Sequence, residues 1–193
     1  MLPTRAQSLF HVIDSSSFER ALLDELCELA TRVRMQAKTD EGARLLRDLL
    51  PTRRAMLYFT QPSTRTFLSF NNACHILGMR TSEIRDPSTS SEVKGESFAD
   101  SIRTFSSYVD VIVMRTKESG RAAEAAKLMD GIPRPVPVIN AGSGSDQHPT
   151  QALLDIYTLA RSFGNTAGSN EALTAANNAR TLAEFEYDTG YNN

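Results

Sequence analysis

From residue 55 onward, short strand-like runs alternate strictly with amphipathic segments, and this order restricts the fold more than any other feature of the chain. The runs are AMLYF (55–59), RTSEI (80–84), DVIVM (110–114) and PVPVIN (135–140). Between them, apolar residues recur at helical spacing: Phe67, Phe70, Cys74 and Leu77 in Thr64 to Leu77, and Phe98, Ile102, Phe105 and Val109 in Ser97 to Val109. Ser119 to Met129 is a third helical segment, and Pro149 to Phe163, with Leu153, Ile156, Tyr157 and Ala160, is a fourth. Alternating strands and helices, with two of the strands apolar on both faces, predict an α/β fold: a parallel sheet of about four strands with helices on both faces. In such sheets ligands bind outside the carboxyl ends of the strands.

Two helices precede the sheet. Ser17 to Arg34 places Leu22, Leu23, Leu26, Leu29, Ala30 and Val33 on one stripe, with Ser16 and Glu19 spaced as a capping box. A shorter helix, about 40–50, ends at Pro51. Residues 1–163 are thus expected to form a single domain. The last thirty residues, 164–193, are rich in Asn, Ala, Thr and Gly and hold too few large apolar groups for a second core. They read as a weakly structured tail with at most one weak helix, about 171–185.

The 193 residues carry a net charge of −2 with no basic block, which argues against nucleic acid as a partner. No apolar stretch is long enough to cross a bilayer, and the amino terminus lacks the apolar core of a signal peptide. The two cysteines, Cys27 and Cys74, lie far apart without metal-ligand spacing, so a reducing, cytoplasmic setting and no metal are expected. Both lie on or beside apolar helix faces, which makes neither a convincing nucleophile. His11 and His75 have no acidic partner near them in sequence and read as ordinary. AGSGSD lacks the Gly-Lys-Ser/Thr ending of a P-loop and no GxGxxG occurs, so nucleotide motifs are absent.

The chemistry gathers behind the strands. Ser63, Thr64, Arg65 and Thr66 open a helix after the first strand, Arg115 follows the third, and His148 and Gln151 open a helix after the fourth. A helix amino terminus offers unpaired N–H groups and the positive end of the dipole, and arginine adds a fork matched to phosphate oxygens. Each residue has a plainer reading: Ser63 as an N-cap, Arg115 in a strand-end ion pair, His148 as a capping or core histidine. Taken together at one sheet edge, they read as a site for a small phosphorylated or carboxylated molecule. The loop 85–97, with Ser88, Ser90, Ser91, Lys94 and Glu96, is either a solvated connection or an arm that brings Lys94 over an anion.

Three stretches, FTQPSTRTFLSF, VKGESFADSIRTFSSYVDVIVMR and NAGSGSDQHPTQALLDIYTL, resemble the carbamoyl-phosphate half of the aspartate/ornithine carbamoyltransferases, in order and over about residues 1–163. His148-Pro149-Thr150-Gln151 and the Lys of VKGES look like the aspartate branch, since ornithine enzymes typically carry Cys where Thr150 stands. The resemblance implies transfer of a carbamoyl group from carbamoyl phosphate to L-aspartate, as in pyrimidine synthesis, without metal or organic cofactor. It implies a phosphate cradle of Ser63, Thr64, Arg65 and Thr66, carbonyl-oxygen donors Thr66, Arg115 and His148, and Gln151 on the carbamoyl nitrogen. It further implies that Glu96 orients Arg65, and that Ser90 and Lys94 reach a neighbouring subunit's site in a homotrimer.

Two departures stand against the family pattern. Members commonly read Ser-Thr-Arg-Thr-Arg with an acidic residue four positions on; here Phe67 and Asn71 occupy those places, so an i to i+4 ion pair is lost as a unit and Phe67 joins the apolar stripe. Nothing in 164–193 resembles the second, aspartate-binding domain, which is expected to be absent. A non-catalytic carbamoyl-phosphate-binding or subunit-interaction module is therefore the alternative reading, with an ornithine-type enzyme a remote one.

Overall fold

The computed structural model describes residues 9–86, 95–144 and 147–162. Helices α1 (Arg20–Gln36) and α2 (Asp40–Arg47) precede β1 (Arg54–Phe59), α3 (Thr64–Ile76), β2 (Arg80–Ile84), α4 (Phe98–Tyr108), β3 (Val111–Thr116), α5 (Arg121–Asp130), β4 (Val138–Ser143) and α6 (Pro149–Ser162). The four strands form one sheet in the order β2-β1-β3-β4, and every pairing is parallel. The chain winds outward from the centre in both directions, so the switch in direction falls between β1 and β3.

Side chains alternate across a strand, and here each set has its own layer. Met56 and Tyr58 of β1, Ile112 and Met114 of β3 and Val138 of β4 pack with Phe98, Ile102 and Phe105 of α4 and Ala122, Ala125 and Met129 of α5. Leu57 and Phe59, Val113 and Ala141 point the other way, onto Phe67 of α3. The expected helices on both faces follow directly from β1 and β3 having no polar face to give to water.

Three local expectations are corrected. The proposed capping box is not formed: Asp14 accepts from Ser16 N at 2.6 Å and caps a single 3-10 turn, Ser15–Ser17. Helix α1 then begins at Arg20, and its N-cap Glu19 makes no side-chain cap bond. An aspartate two residues upstream is an acceptor that competes for the same backbone. The stripe on α1 buries no residue completely, and Leu29 is 45% exposed, because among the described residues α1 lies mainly against α2 and α6.

The fourth strand starts at Val138, three residues later than expected, since Pro135 and Pro137 cannot donate to a ladder. Pro137 O still accepts from Ile112 N at 2.9 Å. On its outer side β4 receives the segment around Val12: Val12 N donates to Val138 O at 2.9 Å and Asn140 N to Val12 O at 2.8 Å. His11, which has no partner nearby in sequence, accepts from Val138 N at Nδ1 and meets Asp130 through Nε2 at 3.2 Å. Its role is structural, tying the amino-terminal segment to α5 and β4. The tail 164–193 lies outside the described residues.

Candidate active site

The crevice between the carboxyl ends of β1 and β3 is closed first by backbone. Thr60 N and Gln61 N, just past β1, both donate to Arg115 O, at 3.0 and 3.2 Å. This fixes the turn that leads into α3 against the register partner of Phe59, which is Arg115 itself. Ser63 takes the N-cap position with extended backbone (φ −161°, ψ 107°), yet its hydroxyl makes no cap bond. The plain N-cap reading thus holds for position and not for the side chain. Thr64 and Arg65 are exposed in the first turn and Thr66 is half-buried.

Arg115 was expected behind its strand, and instead lies within β3 at an irregularity in the sheet. Met114 pairs with Asn140 and Thr116 with Ser143, so one residue of β3 faces two of β4, Ala141 and Gly142. A bulge of this kind re-aims a side chain. Gly142 has φ +114°, and a Cβ built there would collide with Arg115 Nη1 and lie 3.4 Å from His148 Cδ2. The guanidinium and the imidazole therefore meet over the one residue without a side chain.

Arg115 Nη1 donates to Ala141 O at 3.0 Å, while its Nε is buried without a partner. No carboxylate pairs with it among the described residues, so no ion pair there accounts for its placement. Gln61 Oε1 is a second buried atom without a partner at the same edge. Unsatisfied buried polar atoms are rare in native proteins and call for a reason; two beside one crevice point to a polar ligand there.

Burial, and then the nearby Arg115 charge, push the His148 pKa down to about 4. The ring is consequently neutral near pH 7. Its Nδ1 lies 3.2 Å from Thr150 Oγ1. One turn on, Gln151 Nε2 donates to Asp155 Oδ1 at 3.0 Å, leaving Oε1 as the amide's acceptor.

The loop between β4 and α6 rests on Asn140, which is 2% exposed. Its Nδ2 donates to Ile13 O at 3.0 Å and Gln147 O at 3.2 Å, and its Oδ1 accepts from Gly142 N at 2.9 Å. Ser15 Oγ holds Gln147 Oε1 at 3.0 Å. Neither Asn140 nor Gly142 was singled out from sequence; an asparagine ending a strand before a glycine pair was the available signal.

Other expected members are not assembled here. Ser88, Ser90, Ser91 and Lys94 lie outside the described residues. Glu96 is half-buried, and no ion pair joins it to Arg65 among the described residues. Phe67 is buried as expected, and Asn71 Oδ1 accepts from Thr81 Oγ1 at 3.2 Å, linking α3 to β2. At the opposite, amino-terminal edge of the sheet a groove of about 510 Å³ is lined by Leu50, Arg53, Asp110, Arg134 and Ile139 among others. There Asp110 already pairs with Arg53 at 3.1 Å and Arg134 at 3.5 Å. Against the effect of burial, the Arg54 N–H and these two guanidiniums hold its carboxyl below the usual range, so both guanidiniums of this groove are tied to one carboxylate.

An open parallel sheet with basic and neutral hydrogen-bond donors converging on its switch-point crevice defines an α/β protein of the class that binds small ligands at the strand ends. The family model described as aspartate/ornithine carbamoyltransferase, carbamoyl-P binding domain, matches residues 11–161, and the chain belongs to that family through this domain. It is 39% identical over 183 residues to the chloroplastic aspartate carbamoyltransferase of Arabidopsis thaliana, covering 93% of this chain and 44% of that one. A match of that extent runs past residue 163. With the aspartate carbamoyltransferase catalytic subunit of Thermoplasma acidophilum it shares 44% identity over 152 residues, 79% of this chain and 48% of the relative.

Among solved structures, aspartate transcarbamoylase from Trypanosoma cruzi in complex with carbamoyl phosphate and aspartate superposes with a TM-score of 0.70 at 35% identity, covering 78% of this chain and 44% of that one. The catalytic subunit of the M. jannaschii enzyme gives 0.69 at 38% identity, over 81% and 48%. The chain spans about half the length of the relatives it matches.

Proposed function

We propose that this chain forms the carbamoyl-phosphate half of an aspartate carbamoyltransferase, an enzyme that transfers the carbamoyl group to L-aspartate and releases phosphate. The observation that carries this reading is the Arg115–Gly142–His148 arrangement beside the open amino end of α3. The names of the relatives and the carbamoyl phosphate and aspartate bound to the Trypanosoma cruzi enzyme support it.

Ser63, Thr64, Arg65 and Thr66 hold the phosphate: the first-turn N–H groups and hydroxyls donate, and Arg65 neutralises charge on the leaving group. Thr66, Arg115 and His148 donate to the carbonyl oxygen. Attack by the aspartate amine turns that oxygen into an oxyanion, so donors fixed in place stabilise the transition state more than the ground state. A neutral imidazole suits the task. In the tautomer in which the Thr150 hydroxyl donates to Nδ1, the ring proton sits on Nε2, and a neutral His148 polarises the carbonyl through that N–H without giving up a proton. Gln151 Oε1, left as an acceptor by the bond to Asp155, takes the carbamoyl N–H. The C–N bond forms in that attack; the oxyanion then collapses, the C–O bond to phosphate breaks, and the amine proton passes to the departing phosphate.

L-aspartate binding needs groups beyond the described residues. Ser90 and Lys94, carried from the family motif, would act on a neighbouring subunit's site, which makes a homotrimer the assembly we favour. Cytoplasm is our reading of location: the two thiols are unpaired, and no described helix is long and apolar enough to cross a membrane. The plant relatives are chloroplastic by name.

The deciding experiment titrates carbamoyl phosphate calorimetrically and assays carbamoyl-aspartate in the same preparation. Binding with turnover establishes the transferase. Binding without turnover favours the non-catalytic module. No binding removes the reading.

A further inference from the structure

Phe67 follows directly on Ser63–Thr66, and its ring, 5% exposed, is held on two sides. Phe59, the last residue of β1, meets it edge-on with centroids 5.4 Å apart and planes at 89°. Arg85, the first residue after β2, places its Cζ 4.2 Å from the ring centroid. Since β1 and β2 are parallel neighbours, Phe59 and Arg85 both stand at the carboxyl edge where α3 begins.

Arg85 is exposed, and among the described residues no carboxylate pairs with it. A leucine or methionine would cover the ring equally well. A stacked guanidinium is oriented by the ring without being neutralised, and it keeps its N–H donors. The site thus acquires a fixed positive charge that no sequence motif announces.

We propose that Arg85, oriented by its stack on Phe67, is a positioning residue for the anion site, adding the field of its charge to the amino end of α3. This rests on the reading of that turn as a phosphate cradle. An exposed charge acts through solvent and is screened over about 10 Å at 0.1 M salt. Its contribution should therefore be visible at low ionic strength and fade at high.

The test is calorimetric titration of inorganic phosphate and of carbamoyl phosphate into the full chain and its Arg85→Met and Arg85→Lys variants, at low and high salt, with a thermal melt of each. Arg85→Met is expected to weaken phosphate binding about three- to tenfold at low salt, with the difference shrinking at high salt. Arg85→Lys, which keeps charge and loses the planar stack, should remain within about twofold of the unaltered chain. If Arg85→Met melts early, Arg85→Gln takes its place. Unchanged phosphate binding in the neutral variant overturns the inference, as does a loss in Arg85→Lys equal to that in Arg85→Met, which would assign the effect to packing. Failure of the unaltered chain to bind phosphate would overturn the cradle reading and this inference with it.

Discussion

Arg115 occupies the volume that a side chain at residue 142 would need: a Cβ on Gly142 would collide with its Nη1. The glycine is also held at φ +114°, a region that other residues seldom adopt. Gly142→Ala should therefore cost about 2 kcal/mol or more in thermal or urea unfolding, from backbone strain and displacement of the guanidinium together. It should also weaken carbamoyl phosphate binding by at least about tenfold, because a moved fork no longer aligns with its acceptors. A variant with unaltered stability and affinity would show that the bulge is not what aims Arg115.

His148 makes stability depend on pH. Its folded pKa of about 4 lies below the ordinary 6.5, so between those values the unfolded chain binds more protons. No penalty exists above pH 6.5; it grows as pH falls and is complete below pH 4, at roughly 3 kcal/mol. His148→Gln should flatten that part of the unfolding free energy against pH curve. An identical slope in the variant would assign the acid sensitivity to other groups.

Arg65 and Arg115 should fail differently. Arg65→Ala removes an exposed phosphate partner and leaves folding within about 0.5 kcal/mol of the original, while phosphate affinity falls about tenfold or more. Arg115→Lys keeps charge but loses the fork that bonds Ala141 O, so both affinity and stability fall. In an enzyme containing both halves, either change should slow turnover by roughly 3 to 4 kcal/mol of transition-state stabilisation. Near-normal rates would sink the assignment.

Asn140→Leu tests the support beneath the site. The asparagine is buried and serves Ile13 O, Gln147 O and Gly142 N, so an apolar replacement strands three backbone groups. A loss of about 3 kcal/mol or more is expected by chemical denaturation, against about 1 kcal/mol for an exposed asparagine.

The sheet was legible because β1 and β3 are buried on both faces, and that demand is written into consecutive apolar residues. The start of β4 was not, because Val136 suggested an earlier strand that the flanking prolines forbid. The cap of α1 failed for a related reason: Ser16 and Glu19 have the right spacing, but Asp14 reaches the backbone first. At the candidate site, Ser63–Thr66 and His148 could be placed by strand ends alone, whereas Arg115, expected behind its strand, lies within it. What joins them could not, since a bulge opposite Arg115 and a positive φ at Gly142 arise from pairing between strands far apart in sequence. The His11 to Asp130 contact, 119 residues apart, was hidden for the same reason.

The site's two walls are unequally anchored. Ser63–Thr66 and Arg115 are rooted in β1 and β3, where most side chains are enclosed, whereas His148 and Gln151 lead into α6, whose only fully buried residue is Pro149. Elements so thinly covered open at a small fraction of the global free energy. A ligand that bridges the two walls would act as a staple, drawing α6 and the segment around Val12 into the same cooperative unit as the sheet. Amide exchange in α6 should then slow on adding carbamoyl phosphate while exchange in β1 barely changes, making the ligand part of what folds this domain.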